Sequence, residues 1–241
     1  REVQTAVFYL AECYYNLGKL DDAINTYRRY IQSYSGGEHI NEAYFRLGTS
    51  CFKKEQYDDA ASTYKELLDK HPDSKYKKMA QFNLALVYRK ANKLDDAANA
   101  YLQYYDSDPQ DEKAIKCVIE AGDIYMKQRA YQKAIEIYKK IVDSVGNEQK
   151  IDLQCKISEC YLKSKNQKEA ISGYLKLKDM EPKSYTSRLA GLAKLAEIYE
   201  EEKQLGSAVE IYDEIAVSSD DAQWINAAKS RMEAIKNEQT K

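Results

Sequence analysis

The sequence predicts an all-α protein built from repeated pairs of helices, and three observations lead to that prediction. Hydrophobic residues make up 44% and charged residues 32% of the 241 positions, as in a folded chain rather than a disordered one. Only three prolines and nine glycines occur, too few turn residues for a many-stranded β protein. The same residue types also recur with a period close to 37, which indicates a stack of similar units.

Six alanines mark the period, with spacings of 37, 37, 37, 36 and 38 residues: Ala23, Ala60, Ala97, Ala134, Ala170 and Ala208. A tyrosine follows each alanine by four residues, and we call these six residues the tyrosine column: Tyr27, Tyr64, Tyr101, Tyr138, Tyr174 and Tyr212. All three prolines stand twelve residues after an alanine. This regularity predicts six equivalent units.

Each unit is predicted to contain two amphipathic helices, and the second unit shows the pattern clearly. Its first helix has one apolar stripe at helical spacing: Tyr44, Leu47, Gly48 and Cys51. After a break near residues 54–56, its second helix has another: Ala60, Tyr64, Leu67 and Leu68. The small residues Gly48 and Ala60 let the two backbones approach closely. One such hairpin cannot bury its apolar face alone, so the units must stack.

These residues resemble the tetratricopeptide repeat (TPR) pattern, in which Leu47-Gly48, Ala60, Tyr64 and Pro72 stand at the family's mutual spacings. The resemblance implies an all-α, right-handed superhelix of antiparallel helix pairs with about 13 helices in a single domain. It places the repeats at about 4–40, 41–77, 78–114, 115–150, 151–188 and 189–220, followed by a capping helix at 221–241. Asp220 and Asp221 are expected to cap that helix, and Trp224 to seal the last repeat.

Residues 64–74 and 80–85 also resemble, more weakly, bacterial envelope TPR proteins of the BamD and CpoB type. This likeness implies a role in assembling an envelope complex and a position at the periplasmic face. The five cysteines (Cys13, Cys51, Cys117, Cys155 and Cys160) form no CxxC pair, are expected to be mostly buried free thiols, and favour the cytoplasm instead. The first residue, Arg1, already continues a helical pattern, so we expect a fragment of a longer chain.

The remaining composition argues against several classes of function. The 37 basic and 39 acidic residues nearly balance, so nucleic acid is not an expected partner. No apolar stretch approaches the length of about 18 residues that membrane insertion needs. The two histidines, His39 and His71, are read as surface turn residues, and no catalytic, metal or cofactor motif is present. We therefore expect neither an enzyme nor a cofactor.

The resemblance further implies a concave groove, lined by the first helix of each unit, in which a partner segment lies. The groove residues that the resemblance predicts are Phe8, Tyr15, Phe45, Phe52, Phe82, Leu86 and Arg89, together with Lys53, Lys90, Lys127 and Lys163, which we call the lysine ladder. All four phenylalanines of the chain fall on these positions, as a recognition surface would require. The alternatives are that the phenylalanines partly pack against neighbouring helices and that the lysines form an ordinary solvated row.

The sequence therefore predicts a non-catalytic protein-interaction scaffold that binds an apolar, partly acidic protein or peptide segment. Two alternatives remain at this point. One is a self-assembling structural module that associates through its N-terminal edge, and the other is a regulatory or targeting domain of a larger enzyme.

Overall fold

Every regular element of the computed structural model, which describes residues 2–239, is a helix. The thirteen α-helices of that part of the chain confirm the all-α, repeated-helix fold. In chain order they are α1 (Glu2–Asn16), α2 (Leu20–Ser33), α3 (Ile40–Lys53), α4 (Tyr57–Lys70), α5 (Lys77–Lys90), α6 (Leu94–Ser107), α7 (Ala114–Lys127), α8 (Tyr131–Lys139), α9 (Asn147–Lys163), α10 (Gln167–Leu175), α11 (Thr186–Glu201), α12 (Leu205–Ser218) and α13 (Ala222–Gln239). A short 3₁₀ segment, Lys176–Asp179, follows α10. The predicted start at Arg1 and the last two residues of the predicted capping helix lie outside the described residues.

The helices form two compact units, residues 1–124 and 125–241. Within each unit, helices that follow one another in the chain pack together, as α3 does on α4 and α11 on α12. Connections of a few residues join them, which is typical of antiparallel helix pairs. The single continuous domain and the exact repeat limits stay predictions.

The tyrosine column lies in the hydrophobic core. All six of its side chains are at most 8% exposed, and the six period-marking alanines are fully buried. A small residue stands sixteen positions before each tyrosine: Ala11, Gly48, Ala85, Gly122, Ser158 and Ala196. At Gly48 the reason is visible, since an added Cβ would lie 2.7 Å from the ring of Tyr64. The phenol ring fills the space that a larger side chain on the first helix would occupy.

The same backbone turn ends the first helix of every repeat. A residue with positive φ, between 58° and 73°, recurs at Gly18, Glu55, Asn92, Arg129, Lys165 and Lys203. The next amide N–H donates to the carbonyl five residues earlier, as Gln56 does to Cys51 over 2.9 Å. This six-to-one hydrogen bond is the Schellman motif, which satisfies a helix carbonyl that would otherwise have no partner. Five of the six residues at the turn are not glycine, although glycine adopts this conformation at the least steric cost.

The C-terminal helix begins as the sequence predicts. The Asp221 carboxylate accepts a hydrogen bond of 2.8 Å from the amide of Gln223, in the first turn of α13. Trp224 packs, partly buried, against the hydrophobic cluster of α11 and α12. The opposite face of α13 is exposed at Lys229 and Lys236, which keeps a polar surface at this end of the unit.

In the fourth and fifth repeats, the second helix departs from the regular pattern. Helices α8 and α10 have 9 residues each, whereas α2, α4, α6 and α12 have 14. The segment after α10 is held by Arg188, whose side chain is fully buried. Its guanidinium donates to the carbonyls of Leu177 and Lys183 and pairs with Glu214. A buried arginine is tolerated here because carbonyl and carboxylate oxygens satisfy its donors.

The contact between Gly48 and Tyr64 leads to a stability prediction. Gly48→Ala should lower the free energy of unfolding by about 1–3 kcal/mol, because the added methyl group collides with the buried ring. Gly206→Ala, in the first turn of α12 where an added Cβ meets nothing within 4 Å, should leave stability unchanged or raise it by up to about 1 kcal/mol. Urea unfolding followed by circular dichroism measures both, and equal effects would contradict the steric account.

Candidate functional site

The predicted groove residue Phe8 lies in the core rather than at a recognition surface. Its side chain is 2% exposed. Its ring stacks on the imidazole of His39 at a centroid distance of 4.4 Å and meets Tyr30 edge-on at 5.7 Å. This burial corrects the prediction that all four phenylalanines are available to a partner. It also corrects the reading of His39 as a simple surface turn residue, since its ring covers Phe8.

Two other predicted phenylalanines, Phe45 on α3 and Phe82 on α5, line one cleft in the first unit. We call this site, of about 520 Å³, the aromatic cleft. Its apolar part is formed by Phe45, Met79 and Phe82, with Asn83 and Tyr104 beside them. Its rim contains Lys75, Lys78, Asp111, Glu112 and Lys113. The cleft therefore combines apolar surface with charges of both signs.

The two phenylalanine rings of the aromatic cleft are held in place by contacts with neighbouring side chains. Phe45 stacks on Tyr76 with centroids 5.1 Å apart and planes 17° apart. Phe82 meets Tyr104 edge-on at 5.9 Å, and the ammonium of Lys113 lies 5.2 Å from its centroid. Both rings are half-buried, and neighbouring Met79 is 44% exposed. Rings that are already ordered lose little entropy on binding, so this is a preorganised apolar surface.

A buried phenol beneath the cleft is fully hydrogen-bonded. The Tyr64 hydroxyl lies 3.0 Å from the Thr49 hydroxyl and accepts a hydrogen bond of 3.1 Å from the Asn83 side-chain amide. Burial raises the pKa of Tyr64 to about 12, so the phenol stays neutral at physiological pH. This network ties α3, α4 and α5 together directly under the aromatic surface.

The acidic side of the rim is fixed by Asp111. Its carboxylate accepts hydrogen bonds from the Tyr104 hydroxyl at 2.5 Å and from the Lys113 amide at 3.0 Å, and it lies 3.2 Å from the ammonium of Lys78. The hydrogen bond from Tyr104, followed by the amide and Lys78, lowers the pKa of Asp111 to about 2. The carboxylate is therefore ionised throughout the physiological range, and it anchors Lys78 at the cleft edge.

Next to the aromatic cleft, the structure brings together two further predicted groove residues. The Lys53 ammonium lies 4.1 Å from the centroid of the Tyr15 ring, a cation–π contact between α1 and α3. Arg46 lies in the same region, with its Nε 3.2 Å from the Glu12 carboxylate. Tyr15 and Lys53 are therefore partners of each other at the surface of the first unit.

The other predicted residues are separated from the cleft lining. Phe52 packs on Tyr57 with centroids 5.9 Å apart, and Leu86 is half-buried on α5. Arg89 is paired with Glu120 at 2.6 Å, so its guanidinium already has a carboxylate partner. Lys90 is exposed on the last turn of α5.

The lysine ladder is divided between the units. Lys53 and Lys90 belong to the first unit, whereas Lys127 and Lys163 are exposed in the second. The Lys163 ammonium lies 2.6 Å from the carboxylate of Glu159, one helical turn earlier. Two of the four lysines thus already have partners, Lys53 in Tyr15 and Lys163 in Glu159. A single continuous row of available cations stays a prediction.

Several residues of the aromatic cleft were missed by sequence reasoning. Lys75 and Lys113 come from the connections that precede α5 and α7, which the helical stripe pattern does not cover. Tyr104 lies three residues after Tyr101 of the tyrosine column, and this spacing could have placed it on the same face of α6.

Cysteine burial follows the prediction only in part. Cys51, Cys117 and Cys160 are buried, Cys155 is partly buried, and Cys13 is exposed; all five are free thiols. Burial raises the pKa of Cys51 to about 11 and that of Cys117 to about 12, which makes these thiols unreactive.

Among the described residues, no three His, Cys, Asp or Glu side chains converge to hold a metal ion. None of the described helices combines the length and the apolar character required to cross a membrane.

Family models described as tetratricopeptide repeat match three segments of the chain, residues 5–36, 45–112 and 113–144. Together the three segments cover more than half of the sequence. No curated protein sequence matches the chain.

Solved structures share the fold at low sequence identity. A tetratricopeptide repeat protein from Parabacteroides merdae matches all of this chain and 89% of its own, with a TM-score of 0.54 and 14% identity. The C-terminal part of a TPR repeat-containing protein from Cytophaga hutchinsonii matches 95% of both chains, with a TM-score of 0.51 and 16% identity. MamA of AMB-1 matches 73% of this chain and 91% of its own, with a TM-score of 0.53 and 16% identity. At these identities the likeness establishes the fold alone.

The environment of Asp111 leads to a prediction about pH. A carboxyl whose folded-state pKa is about 2, below its ordinary value of 3.8, adds stability above pH 4 and loses that contribution as the pH falls to about 2. Asp111→Asn should therefore lower the free energy of unfolding at neutral pH by up to about 1 kcal/mol. This difference from the wild type should disappear between about pH 4 and pH 2.

Urea unfolding at a series of pH values measures the difference. Glu112→Gln removes the same charge one residue later and is the matched control. A difference for Asp111→Asn that persists unchanged at pH 2 would contradict the assignment.

Proposed function

Because the chain belongs to the tetratricopeptide repeat family, a family of protein-interaction scaffolds, we propose that it is a non-catalytic scaffold that binds a partner segment in the aromatic cleft of its first unit. The observation that carries the proposal is the pairing of Phe45 and Phe82 in one cleft with half-exposed Met79. Aromatic and methionine side chains are enriched at protein interfaces, where they bury much area at little cost in side-chain entropy.

The cleft also indicates the chemistry of the partner. An apolar side chain would bury against Phe45, Met79 and Phe82. Lys75 and Lys113 at the rim would attract carboxylates near that side chain, whereas Lys78 already pairs with Asp108 and Asp111. A partner segment with an apolar anchor and neighbouring acidic residues fits this arrangement. Affinity would come mainly from the anchor, and the lysines would set orientation and association rate.

The cellular role is proposed from the weaker resemblance. Likeness to bacterial envelope TPR proteins supports assembly of an envelope complex, whereas five free thiols, one of them exposed, favour a reducing compartment. A cytoplasmic position is therefore the alternative to the periplasmic face.

One observation favours self-association as a second candidate function. Val3, Leu10 and Leu17 follow one another at seven-residue spacing on α1 and the turn after it, and all three are exposed. Seven-residue spacing places them near one stripe of the first helix, where a second copy of the chain could dock.

Selection of binding peptides tests the proposed function directly. A random peptide library displayed on phage would be panned on the wild-type chain, and the enriched peptides measured against Phe45→Ala/Phe82→Ala. We expect the double variant to bind at least about tenfold more weakly, because it loses two aromatic contacts worth about 1 kcal/mol or more each. The enriched sequences should share an apolar residue beside acidic ones.

Two charge-matched variants separate binding from folding. Met79→Glu places a carboxylate in the cleft, and Val217→Glu places one at an exposed apolar position in the second unit. Only Met79→Glu should abolish binding, with both proteins folded by circular dichroism. Equal binding by all variants would contradict the proposal. Sedimentation of a dimer that Leu10→Glu dissociates would then support self-association instead.

A further inference from the structure

Clefts at equivalent repeat positions occur outside the aromatic cleft, each bordered by a second helix and the helix pair that follows it. One lies among α2, α3 and α4 and has a volume of about 290 Å³. A second lies among α4, α5 and α6, with a volume of about 580 Å³. A third lies in the second unit among α8, α9 and α10, and has a volume of about 750 Å³. We call the second the matched cleft and the third the basic cleft.

Most lining positions of the matched cleft and the basic cleft correspond, although Lys168 and Met180 line only the basic cleft. Lys65, Lys77 and Tyr88 of the matched cleft correspond to Lys139, Lys150 and Tyr161 of the basic cleft, at a spacing of 73 or 74 residues. In both clefts the lysine ammonium lies over the tyrosine ring, at 5.4 Å for Lys65 and 5.5 Å for Lys139. The two clefts therefore share one framework, and their differences can be read residue by residue.

Charge is the first difference. The matched cleft contains two lysines and two aspartates, Asp69 and Asp96, which cancel. The basic cleft contains four lysines (Lys139, Lys150, Lys168 and Lys176) against Asp143 and Glu169, an excess of two positive charges. At one repeat position the charge changes from negative to positive. The residue is Glu66 in the smallest cleft, Gln103 in the matched cleft and Lys176 in the basic cleft.

Size is the second difference, at about 750 Å³ for the basic cleft against about 580 Å³ for the matched cleft. At another repeat position of the lining, the side chain becomes smaller. The residue is Thr63 in the smallest cleft, Ala100 in the matched cleft and Gly173 in the basic cleft. A Cβ on Gly173 would collide with the Ser158 hydroxyl. Helix α8 also ends five residues earlier than the 14-residue α4, and Val142 and Asp143 of the segment that follows it line the cleft. The irregular second helices of the fold thus coincide with the largest of the three clefts.

Two lysines of the basic cleft are available to an external anion. Lys139 donates to the Tyr161 hydroxyl at 2.9 Å, and Lys150 pairs with Asp143 at 3.0 Å. Lys168 and Lys176, in contrast, form no ion pair with any residue of the described part of the chain. Apolar surface accompanies them, because Val142, Ile157 and Met180 also line the cleft.

We propose that the basic cleft is a second binding site, which takes an acidic segment of a partner protein. Carboxylates of that segment would pair with Lys168 and Lys176, and an apolar side chain would contact Val142 and Met180. The surrounding sequence favours the same occupant, since residues 125–180 contain twelve Lys and Arg against seven Asp and Glu in a chain of net charge −2. A phosphate ligand would use the lysines but not the apolar lining. The site is independent of the aromatic cleft.

Fluorescence anisotropy with a labelled acidic peptide, in which glutamates flank a leucine and a phenylalanine, tests the proposal. Lys168→Gln/Lys176→Gln should weaken binding about tenfold, because two charge pairs are lost. The control Lys65→Gln/Lys77→Gln removes the same net charge from the matched cleft and should change binding by less than about twofold. Raising the salt concentration should reduce binding by the wild type.

Three outcomes would overturn the proposal. The first is equal weakening by the two lysine pairs, which would indicate attraction to the overall charge. The second is binding that does not depend on the chemistry of the peptide. A control peptide with glutamine in place of glutamate would then bind as well, or inorganic polyphosphate would displace the labelled peptide at a lower concentration of negative charge than the unlabelled peptide does. The third is loss of binding in Phe45→Ala/Phe82→Ala with Lys168→Gln/Lys176→Gln unaffected. That last result would place the acidic peptide in the aromatic cleft and leave the proposed function intact.

Discussion

The close packing of one buried tyrosine against one small residue is the contact on which the rest of this structure depends. In the second repeat the phenol of Tyr64 occupies the space left open by Gly48 on the first helix, and every repeat has a buried tyrosine with a small residue sixteen positions before it. Burial of a tyrosine side chain removes about 150–250 Å² from water, so the six buried tyrosines supply a large part of the core. Because this framework is repeated, residues at one repeat position occupy comparable surroundings, and their differences carry the functional information.

Both proposed sites depend on which residues occupy equivalent positions in successive repeats. The aromatic cleft exists where Phe45 and Phe82 occupy positions one repeat apart and the connection before α7 adds Lys113. The basic cleft combines Gly173, a short α8 and four lysines, whereas the corresponding cleft of the first unit is smaller and has no net charge. The two sites share no residue. They offer different surfaces, one dominated by aromatic rings and the other by ammonium groups.

Much of the fold was predictable because its signals are local in sequence. The alanine and tyrosine spacings located the helix pairs, and Asp221 marked the start of α13. Side-chain exposure was less predictable, since it depends on residues distant in sequence. The imidazole of His39 covers Phe8, and Glu120 pairs with Arg89, and neither partner can be inferred from helical periodicity. The short α8 and α10 and the carbonyl contacts of Arg188 likewise depend on tertiary packing that composition does not reveal.

Site-specific photo-crosslinking tests most directly the central claim that the aromatic cleft is where this scaffold holds its partner. Benzoylphenylalanine would replace Met79 in one protein and Val217 in another, two exposed apolar positions in different units. The account predicts a crosslink from position 79 that an excess of a cleft-selected peptide prevents, and none from position 217. A crosslink that forms equally from both positions, or only from position 217, would contradict it.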